Sequence, residues 1–213
     1  MTTVRIRFEK TGEASYISLL DMQRVMQRVL KRSGLPVWYT MGFNPHIYMT
    51  FSCPLPLGQE SLCESVDVKT EDDNADFALW QDKLNAIMPT GIRVYKVAPV
   101  DKKADVIAFA DYTIRYSAAA ASMLDQYNAA EHVMVEKKSK RATREIDLKE
   151  IIPALPYTKE GEYVSFQLRL PASGSMNVNP SLLTNYLDLE MSLPASDAAV
   201  LRTGLFDADG QPF

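Results

Sequence analysis

Between Ser18 and Gly34 the sequence specifies a helix at both ends, and that helix constrains everything folded around it. Ser18 is a good N-cap, and Asp21 three residues on completes a capping-box-like pair, with Asp in place of the usual Glu or Gln. Gly34 and Pro36 stop the helix. Met22, Val25, Met26, Val29 and Leu30 recur at helical spacing, while Arg24, Arg28, Lys31 and Arg32 gather on the opposite side. One face is built to pack and the other is cationic. The helix belongs to a continuous block from Tyr16 to Asp67 that also holds a Gly-Phe-Asn-Pro-His loop at 42–46 and a Pro-Leu-Pro-Leu-Gly turn at 54–58.

Strand periodicity surrounds that helix. Thr3 to Lys10 sets Val4, Ile6 and Phe8 on one side and Thr3, Arg5, Arg7 and Glu9 on the other. Val37 to Thr40 reads as a short extended piece, Ile47 to Cys53 as a second strand, and Leu62 to Thr70 as a third with Val66 and Val68 facing in. Asp72, Asp73 and Asn74 supply helix-start chemistry for a helix over 75–88, with Phe77, Trp80, Leu84 and Ile87 as its apolar stripe. Pro89 and Gly91 end it, and a strand returns over 92–100.

The order strand, helix, strand, strand, helix, strand then recurs. A strand over 108–116, a helix over 118–130, strands over 132–138 and 141–148 about a basic turn, a strand over 163–170, a helix over 179–187 and a closing strand over 199–206 account for the second half. The expected fold is α+β: two tandem ferredoxin-like βαββαβ units with antiparallel sheets, residues 1–105 and 106–213, the second carrying an inserted basic hairpin. Helices on one face of each sheet leave the other face for a ligand or another domain, so function is expected there or between the units.

At 213 residues and 46% hydrophobic content the chain can fill a core. Its net charge of −4 means that affinity for nucleic acid has to come from a local patch. Cys53 and Cys63 are too few for a disulfide framework or a four-thiolate metal site, and read as two reduced thiols. The N-terminus alternates like a strand instead of reading as a signal peptide, and no apolar stretch reaches spanning length; a cytoplasmic protein is expected.

Familiar nucleotide, zinc-protease and nucleophile-elbow motifs are absent. His46 and His132 have no spaced cysteine or acidic companion to form a metal centre, so no cofactor is expected on this chain. His46 follows Pro45, which restricts Asn44 to an extended form, and the loop fixes the imidazole as a general acid or base, a phosphate donor, or a tie to the sheet. Arg5 and Arg7 lie on the strand face that can meet Asp67 of the third strand, as a cross-strand ion pair or as ligand contacts; Glu64 and Asp67 make that region acidic. Lys137, Lys138, Lys140, Arg141 and Arg144 form a dense basic hairpin that reads equally as a phosphate-binding arm or a solvated turn. Phe43 in its Gly-flanked loop is suited to stack on a base or a partner side chain.

Arg5, Phe8, Gly12, Ser18, Asp21, Arg24, Arg28, Arg32, Leu35-Pro36, Gly42 to His46, Leu55 to Gly58, Ser61, Glu64 and Asp67, with Arg202 to Leu205 later on, together resemble the bacterial radical-SAM-linked, or radical-SAM-associated, domain family of unknown function. That resemblance implies a radical SAM protein, cobalamin-dependent and encoded nearby or fused, as partner. Leu19 stands where the family usually has histidine, and Ile47 where a second proline follows the loop histidine. At the level of fold the layout is also similar to that of CRISPR RNA-processing endoribonucleases. The expected function is a non-catalytic recognition or accessory module that binds RNA or a ribosome-associated macromolecule. The alternatives are a metal-independent endoribonuclease using His46, and a protein-binding scaffold using Glu64 and Asp67.

Overall fold

The structure is a computed structural model that describes residues 2–138, 143–191 and 198–213. It is a mixed α+β fold with mostly antiparallel strand pairing. The chain divides into two compact units, Met1–Ala108 with Arg202–Phe213, and Phe109–Leu201. The sequence boundary at 105/106 gave all of the C-terminal strand to the second unit; the structure counts Arg202–Phe213 with the first.

In the first unit the elements are β1 (Thr2–Lys10), α1 (Leu19–Ser33), β2 (Met49–Phe51), β3 (Glu60–Thr70), α2 (Phe77–Asn85) and β4 (Ile92–Pro99). β1 pairs with both β3 and β4, and β2 pairs with β3. The far end of the last strand, β10 (Ala199–Phe206), also lies beside β3. Val4, Ile6 and Phe8 of β1 and Val66 and Val68 of β3 form one core with Met22, Met26, Val29 and Leu30 of α1 and Trp80 and Leu84 of α2. Both helices therefore cover the same sheet face. Because side chains alternate across a strand, Arg5, Arg7, Asp67 and Lys69 stand on the other.

The boundaries of α1 follow the sequence. The Ser18 hydroxyl accepts from the Asp21 N–H at 3.2 Å, and Gly34 takes the left-handed conformation at φ 66°. The start of α2 differs from the expectation: the cap is Asp76, whose carboxylate accepts from the Leu79 N–H at 3.1 Å, while Asp72 and Thr70 order the turn before it.

The second unit contains β5 (Phe109–Ser117), α3 (Ala121–Ala129), β6 (Met134–Lys138), β7 (Thr143–Asp147), α4 (Leu148–Ile151), β8 (Tyr157–Glu160), β9 (Tyr163–Pro171) and α5 (Ser181–Met191). β9 pairs with β5 on one side and β8 on the other, and β6 and β7 form a separate two-stranded ladder. Ala110, Tyr112, Ile114 and Tyr116 alternate into the core, as do Val164, Phe166, Leu168 and Leu170. Tyr127 of α3 donates its hydroxyl to the Ile152 carbonyl at 2.6 Å, tying the helix to the segment after α4. β8 is absent from the sequence expectation. No helix among the described residues is long and apolar enough to cross a membrane.

Two glycines separate backbone strain from steric conflict. A Cβ on Gly34 would meet nothing within 4 Å, whereas one on Gly91, at φ 83°, would lie 2.5 Å from the Thr11 carbonyl oxygen and 2.8 Å from the Ala14 Cβ. Gly34→Ala is expected to lower the unfolding free energy by about 1 kcal/mol, the strain of a left-handed alanine. Gly91→Ala should cost clearly more, because the β1 connection must also move. Urea unfolding of both variants measures the difference; equal costs would refute the assigned close approach.

Candidate functional site

The residues singled out from sequence sort into paired interior charges and solvent-exposed groups. Arg5 is 1% exposed and sits directly opposite Asp67, with Nε and Nη2 donating to the two carboxylate oxygens at 2.7 and 2.8 Å. Its Nη1 makes no hydrogen bond and has the Asp101 carboxylate at 3.7 Å. The structure thus places Arg5 and Asp67 in the cross-strand ion pair that the register allows. Arg7 is partly exposed and donates Nη1 to the main-chain oxygen of Phe213 at 2.7 Å, and the Phe213 ring lies over both guanidinium groups, 4.3 Å from Arg5 and 5.5 Å from Arg7.

Glu64 points the other way, into the helix-covered side, where it pairs with Arg202 of β10. Arg202 also donates to the Cys53 carbonyl at 2.6 Å and approaches the Cys53 sulfur at 3.2 Å. At 5% exposure Glu64 does not face solvent, so the scaffold alternative loses one of its two acidic groups. Lys10, equally buried, donates to the Ser15 and Ile17 carbonyls at 3.3 and 2.8 Å and so fixes the approach to α1. Burial lowers its pKa; Glu64 nearby opposes that shift and Arg202 reinforces it. Burial also raises the thiol of Cys53, and that of Cys63 to about 11, so both favour the protonated form at neutral pH.

The exposed groups lie elsewhere. Arg24, Arg28, Lys31 and Arg32 project to solvent from α1. Arg24 reaches Asp21 at 2.8 Å, and among the described residues Arg28, Lys31 and Arg32 form no ion pair. The sheet stands between these cations and Arg5 and Arg7, so the arginines do not form one concave site.

A second exposed group is the 40–46 loop. The Thr40 N–H donates to the His46 carbonyl at 2.8 Å and the His46 N–H to the Thr40 hydroxyl at 3.1 Å, closing the loop at its base. Phe43 at its tip is fully exposed, and Met41 is 89% exposed. His46 is exposed, with Nδ1 3.1 Å from the Asn44 carbonyl. The Thr40 hydroxyl lies at the same 3.1 Å from Nδ1, so this nitrogen donates to the carbonyl in one tautomer and accepts from the hydroxyl in the other. Below the loop, Lys69 holds its ammonium 5.0 Å from the Trp38 ring and 4.5 Å from that of Tyr48. Sequence reasoning missed this cluster because the lysine arrives from another strand.

In the second unit, Lys137 and Arg144 stand opposite each other across the β6–β7 ladder, and Glu136 faces Glu145. Like charges at paired positions disfavour the ladder, so it gains from an added counter-ion. Lys137 donates to the Asn177 carbonyl at 2.8 Å and Arg144 is exposed. Lys138 is placed by its backbone opposite Thr143, while Lys140 and Arg141 lie outside the described residues. At the ladder's base His132 meets Asp147 at 2.7 Å. Among the described residues no group of three His, Cys, Asp or Glu side chains is placed to hold a metal ion.

Against known proteins, the model of a family described as an uncharacterized protein conserved in bacteria, DUF2344, matches residues 3–180. No curated protein matches the chain.

Removing one member of a buried ion pair leaves the other without a partner, at a typical cost of about 3–5 kcal/mol. Arg202→Met and Glu64→Gln are each expected to destabilise in that range, and the double variant by less than their sum. Urea unfolding of the three variants tests the coupling, which strictly additive costs would exclude.

Proposed function

The chain belongs to the DUF2344 family of uncharacterized proteins conserved in bacteria, and from its exposed groups we propose that it is a recognition module that binds RNA on behalf of a partner enzyme. The observation that carries this is an exposed cationic helix face, on which Arg28, Lys31 and Arg32 form no salt bridge among the described residues, together with a hydrogen-bonded loop that holds Phe43 out in solvent. Phosphates suit the first and an unstacked base suits the second. The facing cations Lys137 and Arg144 add a further place for a phosphate. The resemblance to radical-SAM-linked domains supplies the partner in this proposal, a cobalamin-dependent radical SAM protein to which the RNA or a ribosome-associated macromolecule is presented.

The strand order β4-β1-β3 with β2 on β3, and two helices on one face, supports a ferredoxin-like layout for the first unit. In the second unit α3 and α5 follow β5 and β9, and β6–β7 is inserted before β8, which supports the same layout with an added basic hairpin.

Filter binding of single-stranded RNA at low salt tests the proposal. Phe43→Ala is expected to weaken binding about 5- to 100-fold, the range of one base–aromatic stack. Arg28→Glu with Arg32→Glu should flatten the slope of log affinity against log salt by about 1 to 2, as two lost phosphate contacts require. No affinity at low salt, or indifference to both changes, would end it.

The solvent exposure of His46, held in its loop by Nδ1, supports a second reading, a metal-independent ribonuclease with this imidazole as general acid or base. It predicts RNA cleavage in the presence of a chelator that His46→Ala abolishes; cleavage undiminished in that variant sinks it.

A further inference from the structure

On the sheet face opposite the helices, the four neighbouring strands β4, β1, β3 and β10 contribute to one open cavity of about 350 Å³. Arg7 and Glu9 come from β1, Cys63 from β3, Tyr95 from β4 and Gly204 from β10, and Phe213 stands at the rim. The size falls within the range of small-ligand sites, about 300–1,000 Å³.

The walls are built rather than incidental. A Cβ on Gly204 would come within 2.7 and 2.9 Å of two ring carbons of Phe206, so this ring occupies the place where any side chain at 204 would begin. After β10 the chain turns back: the Gly210 N–H donates to the Asp207 carbonyl at 3.1 Å, and the Phe213 N–H to that of Leu205 at 2.9 Å. Lys102 secures the turn through the Asp207 carboxylate at 2.8 Å and the Pro212 carbonyl at 3.3 Å. The result is a sheet floor, aromatic sides, one guanidinium and one carboxylate.

We propose that this cavity binds a nucleotide. Tyr95, Phe206 and Phe213 offer ring surface to a planar base. Arg7 donates to the Phe213 oxygen and to the Tyr95 hydroxyl and presents its further N–H groups in a planar fork, the geometry suited to a phosphate. Glu9 is tied to Arg93 by long contacts of 3.2 Å on the exposed side and accepts hydrogen bonds from the ring and amino N–H groups of a base such as guanine. A simple aromatic acid would satisfy the rings and Arg7 but bring Glu9 only a second negative charge. A nucleotide satisfies all three. The same chemistry is offered by a free mononucleotide and by the end of an RNA strand; only the second rests on the RNA-binding function proposed above.

The experiment is titration of the ¹⁵N-labelled full chain with guanosine monophosphate, with a single-stranded RNA oligonucleotide, and with inorganic phosphate. Saturable amide shifts at Cys63, Gly204 and Leu205 with the mononucleotide establish a free nucleotide as ligand; the same shifts with the oligonucleotide alone establish a strand. Arg7→Gln should weaken either at least about tenfold, as loss of a charge-assisted contact implies, and Gly204→Val should abolish both. No shift at these amides with either nucleotide at millimolar concentration, or equal shifts with phosphate alone, overturns the proposal. Oligonucleotide shifts confined to Phe43 and α1 overturn the cavity and leave the RNA-binding proposal standing. Cavity shifts with the mononucleotide in a chain that binds no RNA do the reverse. The wild-type titrations decide the matter even where a variant fails to fold.

Discussion

The buried pair between Glu64 and Arg202 is the contact on which the first unit turns. It joins β3 to a strand 138 residues further along the chain, with both side chains removed from water. Two desolvated charges are tolerable only because each completes the other and because Arg202 also reaches the Cys53 carbonyl. That anchoring positions the residues just after Arg202, and hence Gly204, Phe206 and the turn that lays Phe213 over Arg5 and Arg7. The open face of the sheet owes its shape to an ion pair on the opposite face.

Local chemistry in this chain was legible and long-range chemistry was not. Ser18, Gly34 and the stripe from Met22 to Leu30 fixed α1 because capping, termination and burial are all decided within one helix. The Arg5–Asp67 pair could be anticipated because alternation and antiparallel register place the two residues on one face. α2 began later than expected because four polar residues in 72–76 all have capping chemistry, and only the backbone path selects Asp76. β8 escaped because Thr158, Lys159 and Glu160 are exposed and show no apolar alternation; pairing with β9 makes them a strand. The partner of Glu64 was out of reach, since no local pattern links it to position 202.

The candidate site was legible to the same degree. The residues that carry the family resemblance divide once the contacts are known. Ser18 caps, Arg5 and Asp67 neutralise each other, and Glu64 and Arg202 close the interior. These have sufficient structural employment. Arg28, Arg32, Phe43 and His46 are exposed side chains, outside the core, and they are the ones on which the proposed functions draw. Sequence alone ranked both sets together, because charge and spacing do not reveal which arginine faces a carboxylate.

This division bears on how binding would operate. With a net charge of −4 the chain as a whole does not steer an anion toward itself. Its interior cations are already neutralised by Asp67 and Glu64, so they add little to the outer field. The exposed cations act locally, and the short stripe on α1 is effective within about one Debye length, about 8 Å at physiological salt. Such a surface holds a phosphate backbone only once a shorter-range contact has brought it close. In the proposed RNA-binding role a stacking ring at Phe43 would supply a contact that salt does not screen, and so complement the screened attraction of the basic helix face.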